Sequence, residues 1–144
     1  MSCDTALIRI DRPAGEVFAF MSDPAQMNLW SFGTWQTEID ANGLVRGKSI
    51  KDGASICVRI EAHPEQLLID YHIGATSEGL LPRIFARVTP EDVFGDNGGC
   101  GLAMTVFRTH GMDDDRWNSL KATHIVELGI IKSALETGYD HRTA

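Results

Sequence analysis

From residue 34 onward, apolar and polar positions alternate with a period of two, and after residue 113 the period lengthens to that of a helix. Trp35, Thr37 and Ile39 alternate with polar neighbours. So do Ile56, Val58 and Ile60, then Ile69, Tyr71 and Ile73, then Ile84, Ala86 and Val88, and finally Leu102, Met104 and Val106. Such alternation predicts half-buried strands with one dry face and one wet face. Turn signals punctuate the strands at Asn42-Gly43, Asp52-Gly53, His63-Pro64-Glu65 and the run Gly95-Asp96-Asn97-Gly98-Gly99. Leu44 to Ile50 is more polar and predicts an edge-like strand.

Before this meander, Ala6, Ile8 and Ile10 fall on one side of an opening strand. Pro13 suits the first turn of a helix, where its missing N–H costs nothing. Val17, Phe18, Phe20 and Met21 give that short helix its apolar face. Asp23 as a cap and Pro24 in the first helical position start a second short helix through Met27 and Trp30. At the far end, Asp113, Asp114 and Asp115 complement the positive end of a long helix, and Gly138 is placed to stop it. Its apolar stripe is Trp117, Leu120, His124, Leu128, Ile131 and Leu135, a narrow arc at helical spacing.

The expected fold is therefore α+β: a curved antiparallel sheet of about six to seven strands gripping a long C-terminal helix, with two short helices after the first strand. A length of 144 residues suits one domain over positions 1–144. One helix stripe cannot cover so many strands, so the sheet must curl and leave an interior that side chains do not fill. Ile56, Val58, Ile60, Tyr71, Met104, His124 and Leu128 are expected to line it. Trp30, Trp35 and Trp117 either pack the core or border the same space.

Charge narrows the partners. Lys and Arg total 13 against 20 acids, a net charge of −7, which argues against nucleic acid and against docking on an anionic membrane. There is no membrane-length apolar run and no basic-then-apolar leader. Three widely spaced cysteines, Cys3, Cys57 and Cys100, fit reduced thiols in a cytoplasmic protein, with Cys57 on the solvent side of its strand by alternation.

Candidate chemistry is sparse. The glycine-rich run at 95–101 precedes a strand, whereas a phosphate loop needs a following helix N-terminus, so a plain hairpin turn is expected. His63, His72, His110, His124 and His141 have no metal-ligand spacing, and neither a metal site nor a cofactor is expected. No nucleophile elbow occurs. Arg83 and Arg87, four apart in one strand, lie on one face: either a solvated outer face or an anion-binding pair for a carboxylate-bearing ligand. His124 and Tyr71 are polar residues on apolar faces. Leaving either unpartnered costs roughly 1–3 kcal/mol, so each finds a structural partner or orients a ligand. Lys121 and Glu127 flank the same stripe. Val126 and Ile130, opposite it, suggest a possible homodimer contact.

Three markers carry a resemblance: Ile10-Asp11-Arg12-Pro13-Ala14-Gly15-Glu16-Val17-Phe18; Ser22-Asp23-Pro24 running to Leu29-Trp30; and the last helix from Trp117 through His124 to Leu135. In this order they resemble the START/SRPBCC superfamily with its helix-grip fold, in particular its polyketide cyclase and chaperone-ATPase-activator branches. The resemblance covers nearly the whole chain. It implies a deep cavity between sheet and final helix but no invariant catalytic set. The leading expectation is a protein that binds a small, largely apolar molecule. The alternatives are a polyketide cyclase or dehydratase using the same cavity, and a protein-interaction module without a ligand.

Overall fold

The computed structural model describes residues 1–95 and 97–143. The alternating stretches become strands and the long stripe becomes one helix. In chain order the elements are β1 (Cys3–Ile10), α1 (Ala14–Ser22), α2 (Met27–Trp30), β2 (Thr34–Ile39), β3 (Val45–Ser49), β4 (Ser55–His63), β5 (Leu68–Gly74), β6 (Leu81–Thr89), α3 (Glu91–Phe94), β7 (Cys100–Phe107) and α4 (Asp114–Thr137). The strands form one antiparallel sheet in the order β1-β7-β6-β5-β4-β3-β2. β1 and β2 are thus its two edges. β3, expected at an edge from its polarity, lies inside the sheet between β4 and β2.

Local chemistry explains the element ends. Asp23 accepts a hydrogen bond from the Ala25 N–H at 3.0 Å and starts the turn that leads into α2. Asp113 does the same for α4, accepting from the Arg116 N–H at 2.8 Å. Gly138 ends α4 at φ 73°, a left-handed conformation that glycine adopts without strain. Within α4, Trp117, His124, Leu128 and Ile131 of the expected stripe are buried, and Leu120 and Leu135 are half-buried. Ile130 packs against the core and does not point away from it, so the exposed apolar neighbours on this helix are Ile125 and Val126.

Two irregularities override simple alternation. In β2, Gln36 takes φ 52° and the register slips between Trp35 and Glu38. The inward positions become Thr34 and Thr37, while Trp35 and Ile39 turn outward. In β6, Tyr71 pairs with Ile84 but His72 pairs with Pro82, so Arg83 is an extra residue in the ladder. Cys57 also departs from expectation. It is fully buried, not on the solvent side, between its strand partners Arg46 and Gly74. α3 was not anticipated. The glycine-rich turn that follows it begins at Gly95, φ 65°, and its Asp96 lies outside the described residues.

The core joins Ile10 of β1, Val17 and Met21 of α1, Ile69 of β5, Val88 of β6, Leu102 of β7 and Ile131 of α4. No helix among the described residues is long and apolar enough to cross a membrane.

Candidate functional site

Between the inner face of the sheet and the N-terminal half of α4 lies a cavity of about 110 Å³. Alternation aims Ile56 and Val58 of β4, Tyr71 and Ile73 of β5, Ile84 of β6 and Met104 of β7 into it. The opposite wall is Arg116, Ser119, Leu120, Thr123 and Glu127, a single helical stripe at three- and four-residue spacing. The corner where α2 meets β2 adds Trp30, Ser31, Gly33 and Thr34, with Ser49 from the end of β3. Lys51 stands on the turn between β3 and β4 and binds Asp115, while Arg116 reaches Asp52 at 3.1 Å. These two ion pairs tie that turn to the first turn of α4.

Glu127 is the principal polar feature. It is 7% exposed. Its Oε2 accepts hydrogen bonds from the Phe32 N–H at 2.8 Å, the Gly33 N–H at 3.1 Å and the Ser31 hydroxyl at 3.4 Å. Its Oε1 makes no hydrogen bond to a described residue. Burial pushes this carboxyl up to about 7, although the three donors pull the other way. A Cβ at Gly33 would lie 3.2 Å from Thr123 Cγ2, close enough that this methyl would have to shift by a few tenths of an ångström, and at an ordinary contact distance of 3.8 Å from Oε2.

Tyr71 donates its hydroxyl proton to the Met21 carbonyl at 2.7 Å. Burial, and secondarily the charge of Glu127, raise its pKa, so it stays a neutral donor. Trp30 meets the Tyr71 ring edge-on at 6.0 Å, and its indole N–H is buried without a partner among the described residues. Arg83 also lines the cavity. The bulge in β6 turns it inward beside Ile84, whereas Arg87, expected on its face, is exposed. Phe85 stays on the outer side with Phe107, ring centroids 6.0 Å apart. Burial, and after it the like charge of Arg116, lower the pKa of Arg83.

Of the residues expected at the site, Trp30, Ile56, Val58, Tyr71 and Met104 come together around the cavity. Trp35 does not, because the β2 bulge leaves it 39% exposed against Phe32. Ile60 and Leu128 pack with the core, and Trp117 lies under Lys121, whose Nζ is 5.6 Å from the ring centroid. His124 is fully buried but outside the lining. Its Nε2 is 2.9 Å from Asp4 Oδ2 on β1, and its Nδ1 has no partner among the described residues. Sequence reasoning placed Glu127 beside the stripe and missed Ser31, Thr34, Ser49 and Thr123, small polar residues with no periodic signal. Among the described residues no cluster of three or more His, Cys, Asp or Glu side chains could hold a metal ion.

Neither family models nor curated proteins give a match to this sequence. Solved structures do. The Zhui aromatase/cyclase from Streptomyces sp. R1128 superposes with a TM-score of 0.68 at 17% identity, over 96% of this chain and 98% of its own. The Aha1 dimer from Colwellia psychrerythraea gives 0.69 at 15% identity, over 96% and 98%. The di-domain aromatase/cyclase BexL of the BE-7585A biosynthetic pathway gives 0.67 at 17%, over 94% of this chain, which spans about half (47%) of BexL. With the seven-stranded antiparallel sheet and the long final helix, these likenesses show that the chain has the helix-grip fold.

Proposed function

We propose that this protein binds a small, largely apolar molecule bearing a polar group in the cavity beneath the N-terminal half of α4. The observation that carries this reading is the half-used carboxyl of Glu127. One oxygen is held by two backbone amides and a hydroxyl, while the other has no partner among the described residues, in a cavity whose sheet wall is mainly aliphatic. Pockets of this kind pair an apolar wall with a few fixed polar groups. Cavities of roughly 150 Å³ hold benzene, so about 110 Å³ suits one ring, with any remainder of the ligand lying in the mouth. The three cysteines, none in a disulfide, fit a cytoplasmic setting. Ile125 and Val126, exposed side by side on α4, keep a homodimer within this reading. The test is native mass spectrometry of freshly purified protein. A small-molecule adduct is expected in the wild type and absent from Ile84→Trp, which fills the cavity. An adduct equally present in both rejects the cavity as its site.

A second reading is an enzyme of the aromatase/cyclase or dehydratase kind. It draws on the same carboxyl, which at about 7 can give or take a proton near neutrality. Against it stands the small volume, which cannot enclose a multi-ring chain. Incubating the released molecule with fresh protein separates the readings. A binding protein returns it at unchanged mass; an enzyme alters it, and Glu127→Gln abolishes that alteration.

A further inference from the structure

We infer that the ligand of this cavity is an anion: a single-ring aromatic or alicyclic molecule whose carboxylate sits on Arg83. The inference rests on the cavity being a ligand site and names the ligand's chemical class.

The first ground is the placement of Arg83. A regular strand would send residues 83 and 84 to opposite faces. Here the slip between Tyr71 and His72 leaves Arg83 outside the ladder, and both residues line the cavity. A bulge that re-aims one side chain is a recurrent way to furnish a site. The second ground is that Arg83 has no counter-charge. It makes no hydrogen bond or ion pair with any other described residue. The charge that acts on it is the like charge of Arg116, itself committed to Asp52. A guanidinium does not escape this position by losing its proton. A half-buried, unpaired cation held near a second cation is unfavourable until an anion arrives.

The third ground is the charge of the wall. Lys51, Arg83 and Arg116 line the cavity against one acid, Glu127, in a chain whose net charge is −7. Lys51 and Arg116 are offset by Asp115 and Asp52, so Arg83 is the cation of this wall that no described residue pairs, and an entering anion would meet it there. One free guanidinium fork matches one carboxylate. A phosphate dianion would need further unpaired donors, and both other cations are already paired.

The test compares two probes of one shape, 3-phenylpropanoate and 3-phenylpropanamide, by calorimetry and by amide and indole chemical-shift changes. The carboxylate should bind wild type about tenfold more tightly, the value of one charge-assisted contact. Arg83→Gln should level the two affinities with the fold intact, because it removes only an unpaired charge. Arg83→Lys, which keeps the charge and loses the fork, should retain part of the preference. Arg87→Gln, on the outer face of the same strand, should retain all of it. Equal affinities in wild type, or a preference that survives Arg83→Gln, overturn the inference. Phenyl phosphate binding more tightly than the carboxylate overturns the assigned class. If the amide or toluene binds with no preference for charge, the anion inference falls and the ligand site stands. If the carboxylate, the amide and toluene all fail to shift Trp30, both fall.

Discussion

On the side of α4 that faces β1, Ile131 and His124 are bedded completely, each 0% exposed, and Lys132 reaches across to the Arg9 carbonyl at 2.7 Å. On the side that faces β2, the same helix meets Ser31, Gly33 and Thr34, and a cavity remains. Each side buries one ionisable group. His124 finds Asp4 and is closed off; Glu127 finds backbone amides and keeps one oxygen free. The difference teaches that this cavity arises from side-chain size and polarity at one corner, not from a general excess of sheet over helix. Against β1 the interior under α4 closes; beside the small polar residues of the α2–β2 corner it stays open, even though the sheet beneath is apolar there too.

The sharpest way to break this comparison is to shorten one leucine-sized side chain on each side. Ile131→Ala should cost about 2–5 kcal/mol by urea denaturation, because a well-packed site cannot collapse around the loss. Leu120→Ala, half-buried and already bordering a void, has fewer contacts to lose and should cost clearly less than Ile131→Ala. Equal losses would mean that the two sides are packed alike.

Next in size is the pH dependence carried by Glu127. Its folded value of about 7 lies above the ordinary 4.5, so between these values the folded state holds the proton more tightly than the unfolded chain. Its contribution is therefore fully present below pH 4.5, falls as pH rises to about 7, and is flat above; the loss is roughly 3 kcal/mol. Glu127→Gln should match wild type at pH 4.5 and exceed it at pH 8, measured as melting temperature at each pH. A variant that tracks wild type at both would show that burial leaves this carboxyl unperturbed.

The smallest effect belongs to the closed side. Asp4→Ala leaves His124 with no partner on either ring nitrogen, at a cost of about 1–2 kcal/mol, the lower part of the range because Asp4 is itself 38% exposed. Ligand binding should be unchanged. A loss of binding would bring His124 into the site after all.

How far the sequence reaches follows the same division. Regular periodicity placed the sheet, the long helix and the inward aim of Ile56, Val58, Tyr71 and Met104, because a period of two or 3.6 fixes direction without reference to the rest of the chain. It failed at Trp35 and at the shared face expected of Arg83 and Arg87, where one added residue in a strand reverses direction and nothing in composition announces the slip. It put His124 and Glu127 on or beside the right face of α4. It could not say which of them would meet a cavity, since that depends on residues 31–34, some ninety positions away in the chain. Asp4, the partner that claims His124, is equally remote in sequence.

The sheet order also sets when the molecule can be completed. β1 pairs only with β7, and Thr5 meets Thr105 a hundred residues downstream. At synthesis rates of roughly 5–20 residues per second, β1 waits on the order of 5–20 s for its partner. Strands β2 to β6 each pair with a neighbour in sequence and can assemble meanwhile. The edge strand that receives His124 is therefore the last strand to find its partner, and α4 then closes on a sheet whose opposite corner, residues 31–34, can already be in place.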